Sequence, residues 1–151
     1  MIDLALYQPD IPQNVGAAMR LCACLNVTLH IIEPCGFPWN EKKIRTSAMD
    51  YIDHIKLQKH SSWNAFRQAS APRRLILMST KESRPYTDFR FRPDDILIAG
   101  SESSGVPPEI HNDADAGVTI PMAAGLRSLN VINASAMILG EALRQQRGSA
   151  A

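Results

Sequence analysis

Short apolar runs alternate with amphipathic segments along most of the chain. Residues 2–7 (IDLALY), 27–32 (VTLHII), 74–79 (RLILMS) and 96–99 (ILIA) are continuous enough to predict strands buried on both faces. Between the first two, Val15, Ala18, Met19, Cys22 and Leu25 recur at helical spacing, and Pro12 suits the first turn of that helix. Asn40 is a candidate cap for a short helix through Met49, and Ser62 for a helix carrying Trp63, Phe66 and Ala69 that Pro72 closes. A third strand is weakly signalled around 51–57. Residues 117–122 (GVTIPM) are the last strand candidate, and the chain from Leu129 to Gln146 reads as helix. Strands alternating with helices favour a mostly parallel sheet covered by helices, an α/β fold, and the absence of an internal repeat or linker favours one domain over 1–151.

Val131, Ile132, Ala134, Ala136, Met137, Ile138, Leu139, Ala142 and Leu143 wrap most of the last helix, which is therefore expected to be buried all round. A central core helix and a dimer interface are equally good reasons.

Composition narrows the class. At 151 residues, 45% hydrophobic and 21% charged, the chain is expected to be globular. No apolar run approaches the roughly 18 residues of a membrane span, and MIDLALYQPDIPQN lacks the basic head of a signal peptide, so a cytoplasmic protein is expected. Three cysteines without a CxxC spacing, and four histidines without an i, i+4 pair, give no reason to expect a disulfide framework or a metal. The net charge of +1 decides nothing, but its distribution is uneven. Arg67, Arg73, Arg74, Lys81, Arg84, Arg90 and Arg92 face only Glu82 and Asp88 in the same stretch, and Lys42, Lys43 and Arg45 form a second cluster. Such clusters suit a polyphosphate, and equally a solvated surface.

Three segments are candidates for chemistry. Gly100-Ser101-Glu102-Ser103-Ser104-Gly105-Val106-Pro107 follows a strand directly, where ligands bind in open parallel sheets. A polar turn with Gly105 at positive φ is the plainer reading. A hydrolase nucleophile elbow fails there, because Ser101 stands where GxSxG needs its first glycine. In 120–130, IPMAAGLRSLN is a small-residue loop able to wrap a flat ligand, with Ser128 or Asn130 as alternative caps for the last helix. In Pro12-Gln13-Asn14-Val15-Gly16, free backbone N–H groups of a first helical turn can meet an anion, with Arg20 under two turns further on.

Taken in order, IPQNVGAAMRLCA, ILIAGSESSGVP and IPMAAGLRSLNVINASAMILGEALRQ resemble the three motifs of the SPOUT methyltransferases, in particular the small SpoU-like branch. The similarity covers almost the whole chain and is greatest to tRNA enzymes that methylate the wobble ribose 2′-hydroxyl of cytidine or uridine. It implies a C-terminal trefoil knot, S-adenosylmethionine as methyl donor with S-adenosylhomocysteine as product, and a homodimer in which the first motif of one subunit meets the donor site of the other. By the resemblance, Asn14, Arg20, Glu102, Ser128 and Asn130 are the catalytic set. Met78, Ser79, Gly100, Ser101, Gly105, Ile120, Met122, Ser128 and Leu129 would hold the donor. Arg20 is expected to clamp a phosphate and the developing alkoxide first, and to act as a base only second, since a guanidinium has a pKa above about 12. Lys42, Lys43, Arg45, Lys81, Arg84 and Arg127 are candidates for RNA phosphate contacts. The alternatives are the same chemistry on another RNA, such as ribosomal RNA, and a non-catalytic RNA-binding module.

Overall fold

A computed structural model describes residues 1–126 and 129–149, without the side chains of Ser47, Met49, Asp50, Ile52 and Ser149. In chain order the elements are β1 (Asp3–Tyr7), α1 (Pro12–Leu25), β2 (Thr28–Ile32), α2 (Glu41–Ala48), β3 (Lys56–His60), α3 (Trp63–Ser70), β4 (Leu75–Met78), β5 (Ile96–Ala99), α4 (Pro108–Asp113), β6 (Ala116–Val118) and α5 (Val131–Ser149). All six strands lie in one parallel sheet, in the order β3-β2-β1-β5-β4-β6. The chain builds outward from β1 through β2 and β3, crosses to β4 on the other side of β1, fills the gap between them with β5, and adds β6 outside β4. The direction of winding therefore reverses between β1 and β5, the place where open parallel sheets leave a crevice.

Two cores follow from the two faces of the strands. Leu4, Leu6, Leu29, Ile31, Ile76 and Leu97 point to the side covered by α1 and α5. Ala5, Tyr7, Ile32, Leu77, Ile96 and Ile98 point to the side covered by α3 and α4, around Phe66. Phe66 is fully buried, and removing a ring of that size from water contributes about 2–3 kcal/mol. β3 closes one sheet edge with Lys56 and Lys59, charges that discourage further strand pairing.

Helix α5 is both buried and wrapped. Ile138, Leu139 and Ala142 are enclosed with Phe89 and Phe91, two aromatics from the 79–95 connection. Phe91 N–H donates to Gln145 Oε1 at 2.8 Å, Gln145 Nε2 donates to the Phe89 carbonyl at 2.9 Å, and Gln146 Nε2 donates to that of Phe91 at 3.2 Å. The expected all-round burial is not met within the chain: Ser135, Ile138, Leu139 and Ala142 are buried by core packing toward the sheet, while Met137 on another face stays 42% exposed.

Several sequence expectations need correction. The weak strand around 51–57 begins only at Lys56, because a 3-10 turn, Met49–His54, carries the end of α2 to the sheet edge. The last strand stops at Val118. Thr119 keeps one parallel bridge to Pro85, and Pro121 has no N–H to continue the ladder. The short helix α4 carries no strong periodic signal in the sequence. Of the Arg67–Arg92 cations, Arg73 and Arg74 are structural. Arg73 Nη1 donates to Asp3 Oδ2 at 2.7 Å, and Arg74 grips the buried Asp95 through Nε at 2.8 Å and Nη2 at 2.7 Å. Among the described residues no helix is long and apolar enough to cross a membrane.

A polar chain runs beneath α3. Asp3 Oδ2 lies 2.8 Å from His30 Nε2, and His30 Nδ1 lies 2.9 Å from His60 Nε2. Burial opposes the charge of Asp3, but hydrogen bonds from His30 and Arg73 outweigh it and hold the carboxyl below its ordinary 3.8. Burial, aided by the charge of His30, holds His60 below its ordinary 6.5. Both groups bind a proton at higher pH in the unfolded chain, so acid favours unfolding twice over. Urea unfolding is expected to lose stability as pH falls below 6.5, and again below 3.8. A His60→Gln variant, which cannot titrate, should lose the first limb. An unchanged first limb in that variant would assign it to another group.

Candidate functional site

A cavity of about 380 Å³ opens at the carboxyl ends of β4, β5 and β6. That size is in the ordinary range for a small-molecule site. Its apolar floor includes Leu77, Val106, Val118 and Ile138, and its walls are the three loops singled out in the sequence. Met78, Ser79, Gly100, Ser101, Gly105, Ile120, Met122 and Leu129 all line it, as do Asn14, Glu102 and Asn130. Ser128 and Arg127 lie outside the described residues.

The loop after β5 is shaped by its glycines. Ser101 N–H donates to the Gly105 carbonyl at 2.9 Å, and Gly105 N–H returns the bond to Ser101 at 2.8 Å. Gly105 takes φ 66°, the left-handed region where a side chain is strained. A Cβ on Gly100 would stand 2.8 Å from the Gly105 carbonyl carbon, so only glycine lets the two backbones approach. The positive φ anticipated for Gly105 and its place on the cavity wall are therefore compatible.

Glu102 crosses from this loop to the start of α1. Its Oε1 accepts the Asp10 N–H at 3.2 Å, and its Oε2 accepts the Ile11 N–H at 3.0 Å and Asn14 Nδ2 at 3.1 Å. A carboxylate here meets the positive end of the α1 dipole as well as donors with no partner inside the helix. Asn130 completes the group. Its Nδ2 reaches Asn14 Oδ1 at 3.4 Å, while its Oδ1 caps α5 by accepting Ile132 N–H at 2.8 Å and Asn133 N–H at 3.2 Å. Of the two cap candidates read from the sequence, Asn130 is the one seen to act so.

Arg20 is elsewhere. Its guanidinium carbon sits 5.1 Å from the centre of the Tyr51 ring, and Arg20 does not line the cavity of its own chain. Lys42, Lys43 and Arg45 are exposed on α2, with Arg45 3.6 Å from Asp53. Lys81 and Arg84 are exposed in the connection after β4, next to the wall formed by Ser79 and Thr80. Ile11, Thr80, Thr119, Val131 and Ala134 were not foreseen as cavity residues. Each neighbours a foreseen residue in sequence or one helical turn away, so adjacency was the available signal.

A parallel α/β sheet with a ligand-sized cavity beyond the carboxyl ends of its strands, edged by a fixed carboxylate and two amides, has the build of a small-molecule site. The chain belongs to the SpoU rRNA Methylase family, whose model matches residues 1–140. It is 60% identical over 144 residues to the tRNA (cytidine(34)-2′-O)-methyltransferase of Beijerinckia indica, covering 94% of this chain and 90% of that one. A structure solved to explain 2′-OH methylation of C/U34 on tRNA superposes with a TM-score of 0.93 at 38% identity, over 98% of this chain and 97% of the other. The SpoU methyltransferase AviRb from Streptomyces viridochromogenes, in complex with the cofactor AdoMet, superposes at 0.82 with 26% identity, over 98% of this chain and 61% of that one.

The Gly100 contact generates a test. Gly100→Ala forces Gly105 away and should speed amide exchange at Ser101 and Gly105 by about tenfold or more, leaving β1 protected. Unchanged exchange would mean the close approach does not shape the loop.

Proposed function

We propose that this chain transfers a methyl group from S-adenosylmethionine to the ribose 2′-hydroxyl of the wobble cytidine or uridine, position 34, of tRNA. The observation that carries the reading is the convergence of eight foreseen donor residues on one cavity, with Asn14, Glu102 and Asn130 at its rim. The 60% identity to an enzyme named for cytidine 34 supports the substrate. We also propose a single domain over 1–151, working in the cytoplasm as a homodimer. Helix α5 packs on the sheet and is also bonded to the Phe89 and Phe91 backbone through Gln145 and Gln146, contacts that support a trefoil knot at the C-terminal half.

The residues present fit the donor. The apolar floor suits a flat purine, and the backbone of the 100–105 loop, which glycine brings to the cavity wall, suits its edge. When bound, S-adenosylmethionine supplies a methyl group on a positively charged sulfur, open to in-line attack. The chain's work is alignment and electrostatics, and alignment alone lowers such barriers by about 7–11 kcal/mol. Glu102 and Asn14 orient the ribose, Asn130 ties that pair to α5, Leu129 on the cavity wall helps hold the donor, and the family resemblance assigns Ser128 the same task. Lys42, Lys43, Arg45, Lys81, Arg84 and Arg127 attract the RNA backbone.

Arg20 clamps the neighbouring phosphate and the developing alkoxide. It lies outside its own chain's cavity, so this role requires the α1 surface of one subunit to approach the site of the other. The exposed Leu25 on α1 and Met137 on α5 support a paired surface on those helices.

The purified protein should transfer labelled methyl to unmodified tRNA, with 2′-O-methylpyrimidine at position 34 found by mass spectrometry. Transfer to ribosomal RNA alone would move the substrate, and absence of both transfer and donor binding would favour the RNA-binding module. Arg20→Lys, which loses the two-pronged grip, is expected to lower turnover by about tenfold or more. Full turnover in that variant would remove the clamp.

A further inference from the structure

Glu102 is held on its loop by a residue that the transfer chemistry does not itself require. Asp10 lies between β1 and α1, and its carboxylate accepts the Ser103 hydroxyl. Its backbone N–H donates in the other direction, to Glu102 Oε1 at 3.2 Å. The two loops are thus tied reciprocally, each giving a carboxylate to the other. The Ser103 hydrogen bond outweighs burial and holds the Asp10 carboxyl below its ordinary value, so the acceptor stays ionised near neutrality. From behind, the 33–40 loop backs it closely. Gly36 N–H donates to the Pro9 carbonyl at 2.9 Å, and a Cβ on Gly36 would stand 2.5 Å from that of Asp10. The remaining oxygen, Asp10 Oδ1, is buried without a hydrogen-bond partner among the described residues. An unpaired buried oxygen costs stability, so stability alone does not account for a carboxylate here.

We propose that Asp10 is a positioning residue: by clasping Ser103 it holds the 100–105 loop against the start of α1 and fixes Glu102 and Asn14 toward the acceptor ribose. This rests on the methyltransferase reading above. The loop's own backbone tie is the Ser101–Gly105 pair, which does not reach α1, and the clasp adds a side-chain tie from Ser103 to the connection before α1.

The test compares Asp10→Ala, Ser103→Ala, the double variant and Asp10→Asn in full-length protein. Turnover and KM for tRNA, the dissociation constant for S-adenosylmethionine, the thermal midpoint and amide exchange at Ser101 and Gly105 are measured together. Asp10→Ala is expected to lower kcat about ten- to a hundredfold, the cost of a small misplacement, with tRNA KM and donor affinity within about twofold of wild type. Ser103→Ala should lower kcat in the same direction, and the double variant should be no worse than Asp10→Ala, since both remove one contact. Asp10→Asn, whose amide oxygen still accepts the hydroxyl, should recover most of the turnover. Wild-type kcat in Asp10→Ala, additive losses in the double variant, or a loss that tracks the thermal midpoint would overturn the proposal. Should Asp10→Ala not fold, Ser103→Ala decides, because its hydroxyl is exposed, and wild-type turnover there overturns the role. A wild-type protein that transfers no methyl at all sinks the underlying reading instead. Faster exchange in the variants would then still establish the clasp as a structural tie.

Discussion

The arrangement turns on one carboxylate. Glu102 stands on the loop after β5 yet takes its three hydrogen bonds from residues 10, 11 and 14, at the start of α1. The two segments are about ninety positions apart and adjacent only because β1 and β5 are neighbours in the sheet. A helix start offers N–H groups with no partner inside the helix, and a carboxylate satisfies several of them at once. Removing Glu102 would therefore free the beginning of α1, release Asn14, and through Asn14 loosen the tie to Asn130 and α5. The cavity's rim behaves as one connected unit, not as a set of independent side chains.

The scaffold behind the rim explains how so short a strand set holds a cavity open. β4, β5 and β6 have only four, four and three residues, so their carboxyl ends come quickly to the ligand level. Their stability comes from burial on both faces and from the wrapped α5, not from strand length. Buried ion pairs sit at the opposite, amino-terminal end: Asp95 with Arg74, and Asp3 with Arg73. Pairs of that kind contribute little net stability against an apolar substitute, but breaking one partner is costly. They fix the strand starts, and the hydrophobic layers carry the load up to the loops.

Most of this order was legible in the sequence where local chemistry and global fold agree. IDLALY, TLHII and ILIA are apolar runs of strand length, and the Val15–Cys22 stripe survives as the buried face of α1. Ser62 caps α3 through the Ala65 N–H as its spacing foretold. What could not be read depends on distance in the chain. The 3-10 turn at Met49–His54 serves a sheet edge that periodicity does not see, and Asp10 and Ile11 gain meaning only when Glu102 arrives from residue 102. That Met78 and Met122 line one cavity follows only from the family resemblance, since neither carries a local signal that would mark it so.

Charge shows the same limit from another side. By count, the Arg67–Arg92 stretch is the strongest basic cluster, but its members are not equivalent toward a polyanion. Arg73 and Arg74 are neutralised at 2.7 Å by Asp3 and Asp95, and Arg67 lies 3.4 Å from Asp113. An ion pair presents a dipole to distant phosphate, and its field falls away faster than that of a lone cation. Lys42 and Lys43 on α2, with Lys81 beside the cavity wall, are exposed and make no ion pair among the described residues. The basic surface left without ion-pair partners among the described residues is therefore smaller than the composition suggests, and it lies in two places, on α2 and in the connection after β4. A field of unpaired cations attracts any polyanion without regard to sequence, so only the shape and hydrogen bonding of a site can discriminate between ligands.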